Sequence, residues 1–185
     1  MTTALVIIDL QKDILKGLGS PQRQPVLDSA VDAVVARMAS LQRLARETNV
    51  PVVVVQHDGR PDHRLGRGKP GWELRPEIAP LGNDTLIHKQ ASDSFFETGL
   101  DAALKAKGVS RIVLGGCMSQ YCIDTTARRA VTLGYDVTLV ADGHATADAG
   151  ALSAEQISAH HNLLLDGFGA GGRTISVMKA DKIGF

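Results

Sequence analysis

"RIVLGGCMSQYCIDTTARRAVTLGYDVTLVAD", residues 111–142, sets two short β-branched runs on either side of a stretch with helical spacing. The first run, "RIVLGG" at 111–116, and the second, "DVTLVAD" at 136–142, are apolar without alternation. Continuous apolar character means burial on both faces, as a parallel sheet covered by helices requires. Between them a helix is predicted over 122–133, stopped by Gly134. The unit therefore reads as strand, crossover helix, parallel strand.

The same pattern extends in both directions. Runs at 4–10 ("ALVIIDL"), 52–58 ("VVVVQHD"), 84–89 ("DTLIHK") and 174–179 ("TISVMK") bring the predicted strands to six. A helix is predicted over 26–48 from Val31, Val34, Val35, Met38, Leu41 and Leu44 at three-to-four spacing. A second covers 98–107, with Leu100, Ala103 and Leu104 before Gly108. A third covers 153–166, where Ser153 precedes Gln156 by three residues in a capping-box pattern. The alternation implies a three-layer α/β/α domain. One connection departs from it: residues 59–83 carry Gly59, Pro61, Gly66, Gly68 and Pro70, then Trp72, Pro76 and Pro80. A loop of this length without regular helix is a candidate wall or lid for a pocket.

Composition narrows the class. The 185 residues fit one domain spanning 1–185, and 20 basic residues balance 20 acidic ones. That balance gives no bulk attraction for nucleic acid or an anionic membrane. No apolar run approaches the roughly 20 residues of a membrane span, and no charged leader precedes "ALVIIDL". A cytoplasmic protein is expected, with its two cysteines as thiols.

In open parallel sheets, ligands bind beyond the carboxyl ends of the strands. Asp9, Gln56 to Asp58, Lys89, the 115–122 segment and Asp142 all fall there. Cys122 is placed at a strand-to-helix turn, where the helix N-terminus favours a thiolate and supplies amides for an oxyanion. Lys89 would favour that thiolate further, and Asp9 could take the thiol proton and later return it to a leaving amine. Cys117 lies earlier in the turn and reads as a packed thiol. Taken singly, each residue also has a plainer reading: Cys122 as a small core side chain, Asp9 as a cap, Lys89 as a surface lysine. No Gly-x-Gly-x-x-Gly follows the first strand, which speaks against a dinucleotide site.

"LVIIDLQKDI" (5–14), "VVVQHD" (53–58), "IHKQASDSFFETGL" (87–100) and "GCMSQYCIDTTARRAVTLGYDVTLVADG" (116–143), in that order, resemble the isochorismatase-like cysteine hydrolase superfamily, which includes isochorismatase, nicotinamidase and carbamoylsarcosine amidase relatives. The resemblance implies a Rossmann-like domain with a six-stranded parallel sheet in order 3-2-1-4-5-6. It implies an Asp9-Lys89-Cys122 triad, a cis peptide between Cys117 and Met118, and an oxyanion hole from the amides of Met118 and Cys122. Ser119 stands where the family usually has Thr. True isochorismatases lack the nucleophilic cysteine, so Cys122 points instead to amide hydrolysis through a thioester.

The zinc-dependent nicotinamidases carry Asp-x-His and a further His after the second strand. Here His57, Asp58, Asp62 and His63 have a different spacing, so neither a metal nor another cofactor is expected. A metal-assisted nicotinamidase-type amidase is one alternative, and a fold retained as a non-catalytic binding module is another. Gln11, Trp72, Phe95, Phe96 and Tyr121 are the candidates to contact a small amide substrate. His160 and His161, on adjacent helical positions, read as structural or interface residues. A homo-oligomer, dimer or tetramer, is expected from the resemblance and from the apolar "HHNLLLDGF" at 160–168.

Overall fold

The computed structural model describes residues 2–185. Seven strands and four α-helices follow one another as β1 (Thr2–Ile8), α1 (Gln24–Glu47), β2 (Val52–His57), β3 (Thr85–Lys89), α2 (Leu100–Ala106), β4 (Val109–Cys117), α3 (Asp124–Thr132), β5 (Asp136–Ala145), α4 (Ala154–Leu165), β6 (Gly169–Ala170) and β7 (Arg173–Met178). They form one sheet in the order β3-β2-β1-β4-β5-β7-β6. All pairs are parallel except the last, β6 with β7.

Both faces of this sheet are covered, which is why its strands are continuously apolar. Leu5 and Ile7 of β1 pack on one side with Val31, Val34, Val35 and Met38 of α1. Ala4, Val6 and Ile8 point the other way, onto Leu100 and Leu104 of α2 and Ala127, Ala130 and Val131 of α3. Helix α4 starts with the expected capping box: the Gln156 N–H donates to Ser153 Oγ at 3.3 Å, and the Ser153 N–H to Gln156 Oε1 at 2.9 Å.

The count of six strands is corrected to seven. The predicted sixth strand is β7, and β6 adds a two-residue antiparallel partner ahead of it. Gly171 and Gly172 join them with φ of +57° and +79°, the left-handed pair that a two-residue hairpin needs. Gly-Ala offers no hydrophobic pattern from which a strand could be read.

Two further differences bear on the site. Residues 119–123 form a π-type turn, and α3 starts only at Asp124, so Cys122 stands inside that turn rather than at the helix's own first residue. The 59–83 connection contains two single 3₁₀ turns, Pro70–Trp72 and Pro76–Ile78. Its later half is tied down by backbone hydrogen bonds from Lys12 N–H to Glu73 O (2.9 Å) and Arg75 N–H to Leu10 O (2.9 Å). It is a fixed wall.

The register gathers the strand ends. Ile8 lies opposite Val55 and Gly116, and His57 opposite Lys89, so Asp9, Lys89 and the 117–122 turn emerge on one edge. Gly116 is required there: its φ is +132°, and a Cβ on it would sit 1.9 Å from the Ile8 carbonyl oxygen.

Candidate active site

At the carboxyl edge of the sheet, the structure brings Asp9, Lys89 and Cys122 together. Lys89 Nζ is 2.7 Å from Asp9 Oδ2, 3.0 Å from Cys122 Sγ and 2.9 Å from the Ala91 carbonyl oxygen. An ammonium has three N–H donors, and each has a partner here. The lysine starts from β3, two strands away from β1, and its stem crosses the end of β2 to reach Asp9. Asp9 is 1% exposed and its φ is +52°, an uncommon value for a residue with a side chain. Its Oδ1 is buried with no hydrogen-bond partner among the described residues.

The electrostatics invert one expectation. Burial pushes the Cys122 thiol up to about 12, and the charge of Asp9 adds to this, outweighing the opposing ammonium of Lys89. At neutral pH the resting site thus holds a neutral thiol beside an ion pair. The helix-terminus argument for a standing thiolate fails because desolvation and the nearby carboxylate are the larger effects. Burial also works against the charge of Lys89, but Asp9 and Cys122 together raise its pKa above the ordinary lysine value.

Cys117 is fully buried, and burial pushes its thiol up strongly. The bond from Cys117 to Met118 is cis. Beyond it, the N–H groups of Tyr121 and Ile123 both donate to the Met118 carbonyl oxygen, at 3.1 and 3.2 Å. Among the described residues the Met118 N–H itself has no acceptor.

These two thiols differ in a measurable way. Iodoacetamide is expected to label the part-exposed Cys122 ahead of Cys117, with a rate that rises about tenfold per pH unit from pH 7 to 10 and shows no plateau. Peptide mapping by mass spectrometry follows both sites. A plateau below pH 8, or faster loss of Cys117, would contradict this.

Two adjacent hollows of about 480 and 450 Å³ open beside the ends of β2 and β3; Lys89 lines the second, and neither Asp9 nor Cys122 lines either one. Asp58 and Gln90 border both; His57, Arg60 and His63 line the first, and Phe96 and Glu97 the second. Trp72 forms part of the wall structure: its indole N–H donates to Asp58 Oδ1 at 2.7 Å, and its ring stacks on His88 at 5.9 Å. His88 Nδ1 lies 3.1 Å from the same Asp58 oxygen. His88 escaped the sequence reading, since a half-exposed histidine beside Lys89 carries no pattern. Burial lowers the pKa of His57, and its Nδ1 has no partner among the described residues.

Two expected substrate contacts are corrected. Gln11 is fully buried, and its amide is spent on backbone: Nε2 donates to the carbonyls of His57 (3.0 Å) and Trp72 (2.7 Å), and Oε1 accepts from the His57 N–H (3.0 Å). It clamps the loop wall to the end of β2, a task shared by Gln56, whose Nε2 donates to Trp72 O at 2.9 Å. Phe95 is 8% exposed and stacks on Tyr135 in the core. Phe96 and Tyr121 are both exposed. His160 and His161 pack edge-to-face on each other on α4.

Some of the polar side chains after β2 are engaged with protein groups. Asp58 is committed to Trp72 and His88, and His63 Nδ1 lies 3.2 Å from the Leu65 N–H. Among the described residues no group of three or more His, Cys, Asp or Glu side chains is arranged to hold an ion. No helix among them is long and apolar enough to cross a membrane.

Comparison with known proteins identifies the family and the fold. An isochorismatase domain model matches residues 3–163. A streptothricin hydrolase of Streptomyces noursei is 36% identical over 146 residues, 78% of this chain but only 50% of that protein. The isochorismatase family protein YddQ of Bacillus subtilis (strain 168) is 37% identical over 148 residues, 79% of each chain. The chain thus spans about half the length of the first of these relatives and most of the second. Among solved structures, an isochorismatase from Pseudomonas putida KT2440 superposes with a TM-score of 0.84 at 29% identity, covering 98% of this chain and 89% of that one. With a family model matched over most of its length and a parallel sheet in the same fold, the chain belongs to the isochorismatase family.

Proposed function

We propose that this chain is a hydrolase that cleaves a C–N bond of a small amide or ureide through a thioester on Cys122. The observation that carries the proposal is the position of Lys89 Nζ, 2.7 Å from Asp9 and 3.0 Å from Cys122, with Asp9 Oδ1 left unpartnered beside them. Asp9 is the base: its free oxygen takes the thiol proton as Sγ attacks the substrate carbonyl carbon. Lys89 pairs with Asp9 before the transfer and faces the sulfur as it becomes anionic. The carbonyl oxygen gathers negative charge and is received by the N–H groups of Met118 and Cys122. Collapse of the tetrahedral adduct breaks the C–N bond, and Asp9 returns its proton to the departing amine. Water then cleaves the thioester, giving the acid and restoring the thiol.

A neutral resting thiol suits this sequence. Substrate entry displaces solvent and supplies the carbonyl toward which charge can move, so deprotonation and attack are coupled. Phe96, Tyr121 and the Trp72-His88 wall are the surfaces offered to the remainder of the substrate. The same reading includes a homo-oligomer, for which the exposed Leu163 and Leu164 on α4 offer an apolar contact.

A screen of small amides and ureides, followed by release of ammonia or amine, tests the activity. Because the proposed nucleophile is a thiol that needs no Lewis acid, protein treated exhaustively with EDTA is expected to retain its rate within about twofold. Loss of turnover that returns only on adding a divalent metal would favour the metal-assisted alternative.

A further inference from the structure

Behind the 117–122 turn lies a line of polar groups that the proposed chemistry does not use. Ser119 is fully buried, with Oγ 2.8 Å from His144 Nδ1 and 3.0 Å from Ser158 Oγ. His144 is 5% exposed, and its Nε2 lies 2.9 Å from Asn162 Oδ1. Asn162 Nδ2 in turn donates to the Ala141 carbonyl oxygen at 2.9 Å.

The far end of this line fixes the direction of every bond. A carbonyl oxygen can only accept, so the Asn162 NH₂ faces Ala141 and its Oδ1 faces the imidazole. That oxygen also only accepts, so His144 carries its proton on Nε2. Burial lowers the basicity of His144, which leaves Nδ1 bare and able only to accept. The Ser119 hydroxyl therefore gives its hydrogen to Nδ1 and accepts from Ser158. One orientation remains for it.

His144 reaches this place through an irregularity in the sheet. Leu114 pairs with Leu139, but Gly116 next pairs with His144 and Cys117 with Ala145, so β5 bulges and rejoins β4 beside the cis peptide. Thr146 adds a second tie, its hydroxyl donating to Gln120 Oε1. The 143–146 segment thus backs the turn that carries both Met118 and Cys122.

We propose that His144 is a positioning residue for the reaction: by accepting from Ser119 it holds the turn so that the unpaired Met118 N–H faces the developing oxyanion. This rests on the Cys122 reading above. Preorganised donors stabilise a transition state only when they need not reorient, and Ser119 is the residue bonded directly to Met118.

Adduct formation with ¹³C-labelled acetaldehyde tests this without any knowledge of the substrate. The Cys122 thiol adds across the carbonyl: an S–C bond forms, the C=O π bond breaks, and the thiol proton ends on the oxygen, which seats at the Met118 N–H. Carbon NMR reads the thiohemiacetal, and iodoacetamide alkylation of the same protein reads the thiol alone. His144→Phe and Ser119→Ala are each expected to weaken the adduct about tenfold, and the double variant to do no worse than the weaker single. Ser119→Thr, which keeps the hydroxyl, is expected to stay within about threefold of the native protein, and alkylation within about twofold throughout. Ser119→Ala removes only a hydroxyl, so it keeps the test open if His144→Phe fails to fold. Native-strength adducts in Ser119→Ala, or adduct and alkylation falling together, would overturn the role of His144. No adduct in the native protein would instead remove the Cys122 reading, and this inference with it.

Discussion

Cys122→Ala is expected to reduce turnover of any amide substrate by roughly 10⁴-fold or more, because it removes the atom on which the proposed covalent intermediate forms. The substitution isolates chemistry from folding. Lys89 and Asp9 remain paired at 2.7 Å, and the side chain removed is a small one in a part-exposed position. The melting temperature is therefore expected to move little. A steady-state assay of amine release checks the first statement and calorimetry the second. Residual activity within tenfold of the native protein would mean that water attacks directly and that the thiol is a bystander.

Lys89→Met is expected to be costly in two separate measurements. Its Nζ is ion-paired with Asp9 and donates to Cys122, and its side chain is 0% exposed. Without it, neither oxygen of the buried Asp9 faces the ammonium and Cys122 loses its hydrogen-bond donor. A fall in kcat of about two to three orders of magnitude is expected, the size seen when a preorganised electrostatic contact is lost. Stability falls as well, by about 3–5 kcal/mol in urea unfolding, because removing one member of a buried pair strands the other. The sign of the pH dependence follows from the raised pKa of Lys89. The stabilisation from its charge is fully present below the ordinary lysine value of 10.5 and is lost as pH rises through the higher folded value. The native-to-variant stability gap is therefore expected to hold from pH 6 to 9. A variant with native stability and native kcat would place the ammonium outside the mechanism.

The parts of the fold that were legible in the sequence are those whose burial leaves a pattern. Runs such as Val52 to Val55 are apolar throughout because Val52 and Val54 face α1 while Val53 and Val55 face α2. Strand β6 left no such trace, since Gly169 and Ala170 bury almost nothing. The acid, the amine and the thiol could be placed at one edge because each follows the end of a strand. What their neighbours do to them could not be read: Cys122 is a neutral thiol because Asp9 and the surrounding protein lie close in space, not in sequence. Phe95 and Phe96 are adjacent, and only the turn geometry decides that the first enters the core and the second lines a hollow. Gln11 beside the carboxyl edge of the sheet looks like a substrate contact until its amide is seen to bond the backbone of His57 and Trp72. His144 was invisible for a different reason. It meets Ser119 only because β5 bulges before rejoining β4, and no periodicity records a bulge.

The thioester on Cys122 is the step on which the mechanism stands, and intact-protein mass spectrometry after rapid acid quench observes it directly. Mixing the protein with a panel of small amides and ureides is expected to give, for any compound that is turned over, a transient species heavier by the acyl or carbamoyl group. Proteolysis is expected to map that mass to the peptide containing Cys122, and Cys122→Ala to abolish it together with amine release. Turnover of a compound with no acylated protein at any quench time, and with the Cys122→Ala protein releasing amine at the native rate, would contradict it.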